Sequence, residues 1–168
     1  MINNKQLREA VIKPSLSKIG LYSPDGEELL VATAAQETLG GTFLVQVDKK
    51  GNLFYAGGLG IYQMEKRSHD GLWVTKLRDK EKPDTHSALG QTILDACGFA
   101  VVPSAAEMIC NLAYATMMAR VFYTQFSDPL PKATDIEGIW AYYKARWNTE
   151  KGAATRYAFI SNYKKYCA

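Results

Sequence analysis

The run from Ala105 to Phe126 constrains this chain most. Met108, Ile109, Leu112, Ala113, Met117, Met118, Val121 and Phe122 make it apolar nearly all the way round a helix. A helix with no face to offer water belongs in the middle of a core. Pro103 and Ser104 open the run, and Ser104-x-x-Glu107 has the form of a capping box. Asn111, Tyr114 and Arg120 are its polar interruptions, and each needs a partner if buried. At 168 residues the rest of the chain suffices for one domain, spanning 1–168, around a single core. No internal repeat, low-complexity tract or linker divides it.

The other elements read from local signals. Asn4 is placed to cap a short helix carrying Leu7, Ala10 and Val11, which Pro14 breaks. A further turn runs from Ser15 to Ile19 and closes at Gly20. Ser23-Pro24-Asp25 starts a second helix, with Ser23 as cap and Pro24 in the first position. Asp25, Glu27 and Glu28 suit its positive end, and Gly40 and Gly41 stop it. Thr42 to Val47 and Leu53 to Ala56, joined by Asp48-Lys49-Lys50-Gly51-Asn52, read as a hairpin. Further helices are expected with caps at Ser68, Ser87, Thr134 (a second capping box with Glu137) and Thr155. The stretch from Arg78 to Thr85, with Pro83, reads as a solvated loop.

Glu37 is the unusual residue of the second helix. Leu30, Thr33, Ala34 and Glu37 fall at i, i+3, i+4 and i+7, on a face otherwise apolar or small. Either the carboxylate escapes to solvent at the helix end, or it is buried. Burial and the negative end of the helix would both raise its pKa. A carboxyl group that keeps its proton near neutral pH is what a general acid in glycoside cleavage needs.

The surrounding residues resemble the lysozyme-like superfamily, with lytic transglycosylases as the nearest relatives. Those enzymes carry Glu-Ser after an apolar helix and Gly-Leu-Met-Gln downstream. Here the first is Gln36-Glu37-Thr38, where Thr38 keeps the hydroxyl. The second is Gly58-Leu59-Gly60-Ile61-Tyr62-Gln63-Met64, with wider spacing before Gln63. The longer segment between the motifs is similar to the hairpin of phage-type lysozymes. The resemblance implies an α+β, mainly α, lysozyme-like fold with a small hairpin after the helix carrying Glu37. It implies Glu37 as catalytic acid, with Asp48 as a second carboxylate if the reaction is hydrolytic. As a turn former, Asp48 has a purely local explanation as well. Thr38, Gly58, Leu59, Gly60, Tyr62 and Gln63 become candidate substrate contacts; the glycines would let backbone approach a sugar. The relatives' Ala-Tyr-Asn motif, whose Tyr orients the acid, corresponds to Ala141-Tyr142-Tyr143, which lacks the Asn. Tyr143 is therefore a candidate, with a place in the aromatic core as the alternative.

The implied activity is cleavage of the β-1,4 bond of peptidoglycan, by a muramidase or a lytic transglycosylase, with single-Glu chemistry favoured. The alternative is a non-catalytic virion or tail protein that keeps the fold for wall binding or assembly. Net charge of +3 suits an anionic wall polymer and is too small to imply nucleic acid. Ten Tyr, six Phe and three Trp supply the core, and sugar clefts also use aromatic faces. No HExxH or paired Cys/His spacing occurs, so no metal and no cofactor is expected, and His69 reads as a surface histidine. Cys97, Cys110 and Cys167 read as reduced, buried small hydrophobes, which points to synthesis in a reducing cytosol. MINNKQLREAV lacks the features of a signal peptide, and no apolar run is long enough to insert in a membrane. A wall enzyme made in the host cytoplasm then reaches the wall or periplasm by lysis or in a phage virion. Contact with other virion proteins during entry is the expected partnership beside peptidoglycan.

Overall fold

The computed structural model describes residues 1–82, 84–150 and 152–167. It is mainly helical, with one small antiparallel sheet. The chain opens on α1 (Asn4–Gln6), a π-helical segment Leu7–Ile12 and α2 (Lys13–Lys18) in direct succession. Asn3, rather than Asn4, is the cap, its side chain accepting the Gln6 N–H. Pro14 does not break the helix. Lys13 N–H already reaches back five residues to the Arg8 carbonyl, and Pro14 falls in the first turn of the segment that follows. There its missing N–H and fixed φ are tolerated.

Helix α3 (Pro24–Thr38) starts as its sequence dictates: Ser23 Oγ accepts the Gly26 N–H at 3.0 Å. Its end differs from expectation by one residue. Leu39 itself is left-handed (φ 52°), ahead of Gly40 (φ 68°) and Gly41 (φ 81°). The hairpin that follows is irregular. Val47 bridges Leu53, and Val45 bridges Leu59. Strand β1 (Gly58–Leu59) then pairs antiparallel with β2 (Met64–Glu65), in register Gly58 with Glu65.

The remaining elements are α4 (Lys66–Thr75), α5 (Ala88–Cys97), α6 (Glu107–Cys110), α7 (Leu112–Tyr123), α8 (Ile136–Tyr143), a π-helical segment Lys144–Asn148, and α9 (Arg156–Tyr166). Ser87 and Thr155 cap α5 and α9 as anticipated, accepting the Gly90 and Ala158 N–H groups. The other expected caps shift. Glu65 takes the cap position of α4 instead of Ser68, and Asp135 caps α8 instead of Thr134. An Asp is as good a cap as a Thr, and Asp135 accepts the Gly138 N–H at 2.9 Å. That leaves Glu137 free to pair with Arg156.

The central apolar run is two helices, not one. Asn111 leaves helical geometry (φ −100°, ψ 90°) and its side chain accepts the Tyr114 N–H at 2.9 Å, so a strong N-cap residue restarts the helix there. Helix α7 is nevertheless the centre of the domain, packed on α2, α3, α4, α5 and α6. Tyr114 to Ala119, Val121 and Tyr123 are all buried. The polar interruptions are satisfied: Trp73 Nε1 donates to the Tyr114 hydroxyl at 2.9 Å, and Arg120 Nε donates to the Leu21 carbonyl at 3.3 Å. His69 is not a surface residue. It is fully buried, with Nε2 2.6 Å from the Tyr114 hydroxyl and Nδ1 2.8 Å from Asp70 Oδ1. Of the cysteines, Cys167 is buried, Cys97 half-buried and Cys110 exposed, which corrects the expectation of three buried thiols. Among the described residues no helix is long and apolar enough to cross a membrane.

Candidate active site

Helix α3 is buried on nearly every side, with Leu30, Thr33 and Ala34 at zero exposure, so its last turn is carried into the core. Glu37 sits there, half-buried, with its carboxyl group on the wall of a cleft of about 610 Å³. Burial raises its pKa from 4.5 to about 7, and the hydrogen bond from Tyr143 opposes the rise. The Tyr143 hydroxyl donates to Glu37 Oε1 at 2.5 Å. Tyr143 is buried in α8 against Phe159 and Trp140. Burial first, and then the charge of Glu37, keep its phenol protonated far above neutral pH. Tyr143 therefore remains a donor. With Oε1 accepting from the phenol, Oε2 is the oxygen left to carry the proton of the neutral carboxyl group.

Thr38 fixes this end of the helix from below. Its hydroxyl lies 3.0 Å from the Ala34 carbonyl oxygen and 2.9 Å from that of Ile61, and it accepts the Gly41 N–H at 2.9 Å. It is fully buried and ties the helix to the turn before β2; it does not face the cleft.

The other expected contacts divide. Gln63 lines the cleft, in a left-handed conformation (φ 49°), with Nε2 donating to the Gly60 carbonyl at 2.8 Å. Tyr62 does not: it is buried and its hydroxyl pairs with that of Thr116 at 3.1 Å. Gly58, Leu59 and Gly60 are likewise outside the lining. The small size of the two glycines serves packing. A Cβ at Gly60 would lie 2.2 Å from the Met108 carbonyl oxygen, and one at Gly58 would meet Gln63 at 2.8 Å. Asp48 is occupied by its own turn and is also absent from the cleft lining. Its Oδ1 accepts the Lys50 and Asn52 N–H groups at 2.8 and 2.9 Å. The Asn52 bonds hold its pKa below the ordinary carboxylate value.

No family model, curated protein or solved structure matches this chain.

Several cleft residues were not anticipated. Gln46 comes from the hairpin, and Glu65 and Ser68 from the start of α4. Arg146, Trp147 and Asn148 come from the π-helical segment after α8, a widened winding often found at functional sites. Lys144 Nζ pins that segment by donating to Asn148 Oδ1 and the Gly152 carbonyl, both at 2.7 Å. Trp147 packs on Phe122 and Tyr123, at ring separations of 4.8 and 5.2 Å. Thr149, on the same wall, holds a positive φ of 62°. Among non-glycine residues that are described, positive φ occurs at Leu39, Gln63 and Thr149. Two of these line the cleft and the third ends the helix of Glu37, so backbone strain gathers at one place, as it does at functional sites. The Arg146, Trp147, Asn148 cluster had a sequence signal: an aromatic and two polar groups close behind Tyr143. Among the described residues no three His, Cys, Asp or Glu side chains converge as metal ligands.

Proposed function

We propose that the chain is a lysozyme-like peptidoglycan glycosidase, a muramidase or lytic transglycosylase, whose general acid is Glu37. The observation that carries this reading is the Glu37–Tyr143 pair on the wall of a cleft large enough for a ligand. Glu37 titrates near 7 and so keeps its proton where a solvated glutamate has lost it. Its Oε2 delivers that proton to the glycosidic oxygen as the C1–O bond breaks. Tyr143 holds the other oxygen and so fixes the direction in which Oε2 points. This is the role that the resemblance implies for it, and a buried core position supports the orientation. Gln46, Gln63, Ser68 and Asn148 supply hydrogen-bonding groups suited to sugar hydroxyls and amides, and Trp147 an apolar face.

The test is a zymogram on purified cell walls. Wild type clears the wall, and Glu37→Gln, which keeps the shape and loses the proton, does not. Clearing by the variant at the wild-type rate refutes the assignment of the acid.

A second reading has its own support. Phe43, Val47, Leu53, Phe54 and Tyr55 leave the hairpin with an exposed apolar surface. Such a surface suits contact with other phage virion proteins, in a particle-associated enzyme acting at entry or in a non-catalytic tail component. Proteomics of purified particles separates a virion part from a freely released lysin.

A further inference from the structure

The cleft holds a second carboxylate, Glu65, that is not explained by capping or by ion pairing among the described residues. Glu65 precedes α4 at the cap position, yet its side chain caps nothing. It enters no ion pair among the described residues; its neighbours Lys66 and Asp70 pair with each other, and Arg146 across the cleft pairs with Asp128. It is exposed to solvent and lines the same cleft as Glu37. Among the described residues these two are the carboxylates of the lining, and Asp48 is not one.

The segments that carry the two glutamates are tied together. Glu65 ends β2, paired with Gly58 of β1. The turn between the strands is bound to the last turn of α3 through the Thr38 hydroxyl on the Ile61 carbonyl. Their environments are opposite: Glu37 is largely removed from water and held by a phenol, whereas Glu65 is exposed and has no ion-pair partner among the described residues. Two carboxyl groups in contrasting surroundings on one cleft are the arrangement by which glycosidases divide the acid and base roles.

We propose that Glu65 is the base that activates the attacking water, which makes the reaction a hydrolysis. The proposal rests on Glu37 being the acid. Glu37 gives its proton to the glycosidic oxygen and the C1–O bond breaks. Water adds to C1 and its proton passes to the Glu65 carboxylate. The products are one chain ending in a free hydroxyl and one with a new reducing end. Glu65 then releases its proton to solvent and Glu37 takes one up. The expectation of single-Glu chemistry is thereby replaced, and the base role is moved from Asp48 to Glu65.

The experiment digests purified peptidoglycan in isotopically labelled water with wild type, Glu37→Gln, Glu65→Gln and Glu65→Ala. The expected wild-type products are reducing sugars carrying the label. Glu65→Gln is expected to lose about 100-fold or more in rate, with unchanged thermal unfolding. Sodium azide, replacing the water, is expected to restore turnover in Glu65→Ala and give a glycosyl azide. Anhydro-sugar products, or Glu65→Gln within about twofold of wild type while Glu37→Gln is inactive, overturn the base role and leave Glu37 as the acid. Loss in Glu65→Gln without azide rescue of Glu65→Ala overturns it too, and makes Glu65 a sugar contact. A wild type that cleaves no wall removes both assignments.

Discussion

Glu37→Gln is expected to make the protein more stable, and only above a defined pH. Burial lifts the Glu37 pKa from 4.5 to about 7. The folded state therefore holds the proton over a range where the unfolded chain has released it. Below pH 4.5 the carboxyl group is neutral in both states and contributes no penalty. As pH rises from 4.5 to 7, the unfolded chain ionises freely and the folded one does not, so stability falls. Above 7 both are ionised and the penalty is constant. At 1.36 kcal/mol per tenfold change, the displacement amounts to at most about 3 kcal/mol. Gln does not titrate, and its amide oxygen still accepts the Tyr143 hydroxyl, so the variant escapes the penalty without losing that bond. Chemical denaturation of both proteins at pH 4 and pH 8 measures the effect. The variants should match at pH 4, apart from a constant offset. At pH 8 Glu37→Gln should gain up to about 3 kcal/mol, a rise in Tm of about 6–12 °C for a chain of this size. A stability difference that stays the same from pH 4 to pH 8 would falsify the claim that burial keeps this group protonated. The same variant is expected to be inactive in the wall assay, so the proposed acid's reactivity and its cost to stability would have one physical source.

Two further outcomes follow from hydrogen bonds in the same region and behind it. Tyr143→Phe removes the donor that favours ionised Glu37, so the alkaline limb of the pH–rate profile should move above about 7. The rate below that pH should fall about tenfold or more, because the carboxylate that forms as Glu37 gives up its proton loses a hydrogen bond and Oε2 is no longer directed; an unchanged profile excludes Tyr143 from orienting the acid. For His69, Trp73 donates to the Tyr114 oxygen, which leaves the Tyr114 O–H to donate to Nε2 and the Nδ1–H to donate to Asp70. Desolvation lowers the His69 pKa below 6.5, so its stabilising contribution is lost as pH falls from 6.5 through the folded value. Nitrogen NMR at pH 6.5, where a free imidazole is half charged, should show the ring mainly neutral and protonated on Nδ1, and a mainly imidazolium signal there contradicts the network.

Much of the chain was legible in short-range signals. Ser23 with Pro24, Ser87, and Thr155 all mark helix starts in the structure, because a cap acts on N–H groups only two or three residues away. The apolar run placed α7 at the centre, because a helix without a polar face has no other stable position. Periodicity also put Glu37 on the same face as Leu30, Thr33 and Ala34, which was enough to mark it as unusual. Local rules failed where two of them competed. Asn111 outweighed the helical pattern around it, and the π-helical winding let Pro14 stay within a helix.

The cleft was decided by tertiary structure. Glu37 and Tyr143 lie 106 positions apart, and no local pattern specifies that a hydroxyl on α8 meets a carboxyl group on α3. Glu65 reads as one more surface charge until β1 and β2 pair and Thr38 ties their turn to the end of α3. Tyr62 and Gln63 are neighbours in sequence with opposite fates, since one points into the core and the other into the cleft. A residue's type sets what chemistry it can perform, but its exposure and partners come from contacts between distant segments. Those contacts exist only once the core around α7 has closed.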